Sequence, residues 1–235
     1  MKPLVSVMIG AYNAAPYLGE AIESVFAQDY EPIELVVVDD GSTDGTADVA
    51  RSFAGVKVIS QENGGNGAAR NTAVEAASGA LFAFLDADDR FTPGKLSLQK
   101  SALDADPDLD MVFGHVREFL SPELEEEVRA RLRPPAPEPM PWTAPNLMLV
   151  RRESFERVGP FSTSVRVGVT VDWFARAQEA GLRYTILPEV VLERRLHTQN
   201  NGLRESASRS QYLEVIRQAM ERRRAAADAS GAGEA

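Results

Sequence analysis

Apolar residues in the first ninety positions follow two rhythms. Val5, Val7 and Ile9 lie in a short β-rich run ending at Gly10, whereas Leu18, Ala21, Ile22, Val25 and Phe26 recur at helical spacing as one stripe. The run from Ile33 to Val38 is nearly continuous and β-branched, as a strand covered on both faces reads. It stops at Asp39-Asp40-Gly41-Ser42, a turn followed by a helix start. A helix to about Phe53, a strand over 56–60, a Gly-rich loop over 63–67, a helix over 68–77 and a strand over 80–85 follow. Strands alternating with helices at this spacing predict an α/β domain with a mainly parallel sheet. Ligands of such sheets sit beyond the carboxyl ends of the strands. Those ends carry Tyr12 and Asn13, Asp39 and Asp40, the polar stretch 61–66, and the acidic stretch 86–89.

The second half is less regular. A strand over 111–116 precedes a charged helix over 123–133, and the proline-dense stretch 134–141 excludes helix or central strand and reads as an extended surface connection. Helices over 153–158 and 171–180, a strand over 184–187 and a helical pattern over 206–224 complete the reading. We expect one domain over 1–222, with a first half over 1–118, a connection over 134–145, a second half over 146–222 and a disordered tail over 223–235.

Charge changes this picture in one respect. The 235-residue chain has 25 Lys and Arg against 35 Asp and Glu, a formal net charge of -10. That balance argues against a nucleic-acid partner or an anionic membrane surface, both of which need a positive field. An acidic protein handling a phosphorylated substrate needs a cation between the two. The absence of cysteine removes disulfides, thiolate nucleophiles and cysteine metal sites, and is compatible with a cytoplasmic setting. No stretch approaches the ~18 apolar residues of a membrane helix. The apolar run 4–11 lacks the flanks of a secretory signal and reads as a buried first strand.

The sharpest local signal is Asp86-Ala87-Asp88-Asp89 directly after a buried strand. Carboxylates this close repel one another unless a cation or proton relieves them, and one or two of them with substrate phosphates suit Mg²⁺ or Mn²⁺. The bland alternative is a solvated turn capping the next helix. Asp39 and Asp40 could accept hydrogen bonds from a base or a ribose, or merely form a turn. The loop with Gly65 and Asn66 precedes a helix bearing Arg70, so its amides and guanidinium could meet phosphate. It lacks the Gly-x-Gly-x-x-Gly pattern, and no phosphate loop of the Gly-x-x-x-x-Gly-Lys type is present. Of the two histidines, His115 lies in an apolar run, while His197 lies among Arg194, Arg195 and Asn200.

Four segments occur in order: Val5-Ser6-Val7-Met8-Ile9-Gly10-Ala11-Tyr12-Asn13, Val38-Asp39-Asp40-Gly41-Ser42-Thr43-Asp44, Gly67-Ala68-Ala69-Arg70-Asn71 and Leu85-Asp86-Ala87-Asp88-Asp89. Together they resemble glycosyltransferase family 2, whose fold is GT-A: Rossmann-like α/β with a mainly parallel central sheet. The likeness is dense to about Arg90 and looser to about Arg204. It implies inverting transfer of a sugar from a nucleoside diphosphate donor, most often UDP-linked, with Mn²⁺ or Mg²⁺. By the resemblance, Ala11, Tyr12, Asn13, Asp39, Asp40, Gly65, Asn66, Arg70, Asp86 and Ala87 hold the nucleotide. Asp88, or Asp89 one residue later, and His197 hold the metal, and Arg194 and Arg195 the diphosphate. The family's Glu-Asp pair is replaced by Val171-Asp172, which leaves Asp172 as the expected general base.

The Gln-x-x-Arg-Trp motif of processive synthases is missing, so a non-processive enzyme is expected. The acceptor is open among a glycan, a lipid-linked intermediate, a small molecule and a peptide, and a homodimer and placement at the inner face of a membrane are compatible with the family. A sugar-phosphate nucleotidyltransferase would need a Gly-rich basic loop after the first strand, where this chain has Gly10-Ala11-Tyr12-Asn13-Ala14. A nucleotide-sugar-binding protein without catalysis is the reading from a different class.

Overall fold

The structure is a computed structural model and describes residues 2–165, 168–198, 217 and 220–222. Its first half alternates as the hydrophobic pattern requires: β1 (Val5–Ala11), α1 (Ala15–Phe26), β2 (Ile33–Asp39), α2 (Thr46–Arg51), β3 (Val56–Ser60), α3 (Asn66–Ala76) and β4 (Leu81–Asp86). β1 lies between β2 and β4 and is parallel to both, and β3 adds parallel to β2. Every residue of β1 but Gly10 is buried, so the strand shows no alternation and the sheet is covered on both faces here. The stripe on α1 buries Leu18, Ala21, Ile22 and Val25. Leu18, Ile22 and Val25 each contribute about 1.5–3 kcal/mol when fully buried, and the Ala21 methyl less.

The second half comprises β5 (Arg90–Phe91), α4 (Lys95–Ala105), β6 (Met111–Leu120), α5 (Glu126–Arg129) and β7 (Met140–Pro141). A 3-10 turn (Pro145–Leu147) then leads to β8 (Leu149–Arg151), α6 (Arg152–Val158), α7 (Val169–Glu179) and β9 (Tyr184–Leu196). Among the described residues the sheet order is β3-β2-β1-β4-β8-β6-β9-β5, with β7 on β6. β8 runs antiparallel to β4 and β6, while β6 and β9 are parallel. Phe82 and Phe84 of β4 meet Phe155, which stacks on Trp173 at 5.1 Å. That aromatic cluster fixes the first turns of α7 against the sheet.

The structure departs from the sequence reading mainly in its second half, where the short strands β5 and β8 also went unread. α4 is an unread helix whose stripe is interrupted by the buried polar residues Lys95 and Gln99. β6 runs on to Leu120, and the helix expected over 123–133 reduces to Glu126–Arg129, with no buried residue to hold more. β9 continues past Pro188 to Leu196. Proline lacks the ladder N–H, and the β6–β9 register shifts between Phe113 and His115, so a bulge carries the strand past it. The proline-dense stretch does stay extended, with Met140 and Pro141 forming a two-residue edge strand. Of the helix expected over 206–224, residues 217 and 220–222 are helical; the rest, and the tail from 223, lie outside the described residues.

Candidate functional site

The carboxyl ends of β1, β2 and β4 open into one cleft of about 1100 Å³. Its floor begins at Ala11, Tyr12 and Asn13, where β1 ends. Asn13 takes a positive φ of 49°, tolerable for Asn, and its Oδ1 accepts the Thr43 amide at 2.9 Å. Tyr12 is half exposed over the mouth. Asp39 lies beneath and accepts the Ser42 amide at 3.2 Å.

Asp40 does more. It is buried, and its carboxylate accepts from Gln61 Nε2 (2.7 Å), the Gly64 amide (2.9 Å) and the Gly65 amide (2.8 Å). The Gly-rich loop is thereby tied to β2. Gly65 has φ +85°, a conformation that favours glycine. The loop brings Gly65 and Asn66 to the cleft wall, and α3 buries Arg70 below them.

Arg70 Nη2 donates to Asp86 Oδ1 at 2.6 Å, and its guanidinium lies over the Phe161 ring. The other oxygen of Asp86 accepts from Asn146 Nδ2 at 3.0 Å, and the same amide donates to Asp89 Oδ2 at 3.0 Å. Asn146 Oδ1 is buried with no hydrogen-bond partner among the described residues. Asp89 is buried, and its second oxygen takes the Arg195 amide at 3.0 Å. Burial first, then the neighbouring Asp88 and Asp86 carboxylates, push its acid well above the usual carboxylate range. Asp89 therefore fastens the turn after β4 to β9. Asp88 faces the other way: its Oδ2 lies 2.9 Å from His197 Nε2, just beyond the end of β9. Tyr17 packs against the imidazole with ring centroids 4.6 Å apart. Asp86, Ala87, Asp88, Asp89 and His197 all line the cleft, but among the described residues no group of three or more His, Asp or Glu side chains is arranged to hold a metal.

The two arginines of β9 part company, since successive strand residues point to opposite faces. Arg194 lines the cleft, donating to Glu118 at 3.1 Å and lying over the Trp142 ring. Arg195 is buried behind it. Its guanidinium donates to the Asp88 carbonyl (3.0 Å), Ser121 (3.0 Å) and Glu20 (2.7 Å). It braces the Asp88 turn from below and, unlike Arg194, does not line the cleft where a diphosphate was expected to meet it.

Asp172 departs furthest from expectation. Its side chain is 6% exposed, does not line the cleft, and pairs with Arg176 Nε at 2.9 Å and Arg222 Nη1 at 3.3 Å. Arg176 in turn donates to the Val158 and Pro160 carbonyls. The first turn of α7 shows Val169, Thr170 and Val171 to the cleft instead. One residue of helix is about 100° of rotation, which is why a motif reading one position off changes the face.

The sequence reading also missed Asn146, Trp142 and Arg133. Asn146 sits in a 3-10 turn with no periodic signal, and its partners are 60 and 57 residues away. Lys95 and Gln99 hold that turn from beneath, both donating to the Leu147 carbonyl.

The comparisons agree with this architecture. Residues 6–162 match the family model described as Glycosyl transferase family 2. Glycosyltransferase AglE of Haloferax volcanii is 33% identical over 204 residues, covering 80% of this chain and 66% of that protein. An uncharacterized glycosyltransferase of Rickettsia felis is 30% identical, covering 85% of this chain and 35% of its own. This chain thus spans only part of the length of such relatives. Among solved structures, the mannosyltransferase PcManGT of Pyrobaculum calidifontis, in complex with GDP-Man and Mn²⁺, superimposes with TM-score 0.72 at 24% identity, covering 94% of this chain and 65% of that one. S. aureus TarS 1-349, in complex with UDP, gives 0.68 at 21% identity over 83% and 61%. The fold is GT-A, with a mixed, largely parallel sheet.

Proposed function

Because the chain belongs to glycosyl transferase family 2, we propose that it transfers a sugar from a nucleoside diphosphate donor, UDP-linked, to a hydroxyl acceptor with inversion and with help from a divalent cation. The observation that carries this reading is the meeting of Asp88 and His197 in the cleft, 2.9 Å apart though 109 residues distant in sequence. Residues so far apart in the chain converge here on metal-ligand chemistry. The Asp88 oxygen suits Mn²⁺ or Mg²⁺, the His197 nitrogen favours Mn²⁺ of the two, and phosphate oxygens and water would complete the shell. When bound, the cation would offset the charge that develops on the departing diphosphate.

The chain's own residues account for the rest of the donor site. A carboxylate offers about four acceptor positions, and Asp40 uses three on its loop, which leaves one for a base or ribose donor. Tyr12 gives the base an apolar cover. Arg70 and Asn146 hold Asp86 from both sides, so that its geometry is set before the donor arrives.

A second reading, a nucleotide-sugar-binding protein with little transfer, is favoured by one observation: α7 turns Val169, Thr170 and Val171 to the cleft where the family resemblance led us to expect a carboxylate. The two readings share the donor site. Calorimetric titration of UDP with and without Mn²⁺ tests it. A ligand at about 100 times its Kd adds about 2.7 kcal/mol of apparent stability. Asp88→Ala should lose the Mn²⁺-dependent part of UDP binding and leave unfolding unchanged. Equal UDP affinity with and without Mn²⁺ in the parent would refute the metal assignment. Release of UDP coupled to acceptor transfer separates the first reading from the second.

A further inference from the structure

The end of the cleft away from Asp40 is built differently from the donor side. Trp142 follows β7, which is pinned to β6 by the pairing of Met140 with Val116. The indole is 42% exposed and lies over the Arg194 guanidinium at 5.2 Å. Arg194 and Arg133 share one carboxylate: Glu118, buried on β6, accepts Arg133 Nη1 at 2.7 Å with Arg133 Nη2 alongside, and Arg194 at 3.1 Å. All three cationic and aromatic groups line the cleft. Two guanidinium groups share the single carboxylate that bonds them, with Asp89 within Coulombic reach of Arg194, so this wall is a basic stretch of lining in a chain of net charge -10. A Trp ring braced on a guanidinium is a rigid apolar plate with a polar edge. One face of a pyranose carries mainly C–H groups and fits such a plate, while an anionic substituent on that sugar would meet the guanidinium groups.

The sheet order separates this wall from the nucleoside end. Asp40 follows β2, Asp86 ends β4 and Asp88 follows it, and Trp142, Arg133 and Arg194 belong to the β6, β7 and β9 side. Resting on the donor reading above, we infer that Trp142, Arg133 and Arg194 form the acceptor subsite, and that its ligand is an anionic carbohydrate carrying a carboxylate or a phosphate.

The full chain reports on this directly. It has two tryptophans, and Trp173 is buried under Phe155, so a ligand-induced change in emission belongs to Trp142. Three sugars are titrated with and without UDP and Mn²⁺: a disaccharide ending in glucuronate, the same disaccharide with the carboxyl reduced to an alcohol, and its phosphorylated counterpart. The expected result is at least tenfold tighter binding of one or both anionic forms, and which of them binds identifies the anion. Measured by calorimetry, which does not depend on the indole, Trp142→Ala should weaken all three, and Arg133→Gln should remove the anionic preference while sparing the neutral sugar. Equal affinities for the three sugars, or no Trp142 response while UDP binds, would overturn the inference. So would an Arg133→Gln variant that loses UDP affinity but keeps the sugar preference, since the guanidinium would then serve the donor. Failure of the parent chain to bind UDP, with its anionic sugar preference intact, would instead overturn the donor reading alone.

Discussion

Replacing Asp172 by Asn separates two roles with opposite signatures. A general base contributes about 10²–10⁴-fold to the rate, and its loss should leave stability unchanged. The structure argues for the other role. The carboxylate is nearly inaccessible and holds Arg176, whose remaining donors tie α7 to the Val158 and Pro160 carbonyls at the end of α6. Removing one partner of a buried pair costs about 3–5 kcal/mol. Arg176 is 21% exposed and keeps its two carbonyls, and Asn keeps one acceptor oxygen, so about 2 kcal/mol is the expected loss. For a chain of this size each kcal/mol moves Tm by about 2–4 °C, giving a fall of about 4–8 °C. Urea unfolding with a fluorescence readout measures the stability. Single-turnover transfer at 15 °C measures the chemistry while the variant is folded. The expected result is lowered stability with the rate within tenfold of the parent. An unchanged unfolding midpoint with a rate lowered a hundredfold or more would refute the structural role and restore Asp172 as the base. Thr170→Asp, which puts a carboxylate at a cleft-lining position, is the complementary variant and should raise transfer if the missing element is a base.

Two further perturbations probe how the cleft is held. Burial lowers the Lys95 ammonium from 10.5 to about 7, so between those values the unfolded chain holds a proton that the folded one has released. Stability from this group therefore rises with pH from about 7 to 10.5 and is lowest below 7. From pH 7 to 9.5 the parent should gain about 3 kcal/mol relative to Lys95→Met, read from paired urea titrations; parallel pH profiles would refute it. A Cβ on Gly67 would lie 2.4 Å from the Ser162 carbonyl, so Gly67→Ala must displace the segment that also bonds Asn71 through Phe161. A loss of about 1–3 kcal/mol and weaker UDP binding are expected, and an unperturbed unfolding midpoint would count against that packing.

The sequence made the first half of the fold readable for a physical reason. Strands buried on both faces leave continuous β-branched runs, and the polar residues that interrupt them mark the ligand side. Asp40, Asp86 and Asp88 were visible in this way. His197 was singled out by its basic neighbours, although its partner Asp88 is set by tertiary contact alone. The second half resisted because its determinants are not local. α4 hides a buried lysine in what reads as a polar face, and β9 passes a proline by a bulge. Asp172 was misplaced for a subtler reason: composition shows that an acid is present near the start of α7, but one helical step decides whether it meets the cleft or Arg176.

The alternation along β9 makes the site sensitive to reading frame in space. Arg194 and Arg195 differ by one step and perform unlike tasks, one in the cleft and one beneath Asp88. A single-residue deletion between the bulge and Arg194 would exchange them. It would send Arg195 toward the cleft, take its guanidinium from Ser121 and the Asp88 carbonyl, leave Glu20 with Arg90 alone, and turn His197 away from Asp88. Length change in this segment is therefore tolerated only in pairs, whereas loops that carry no parity can vary one residue at a time.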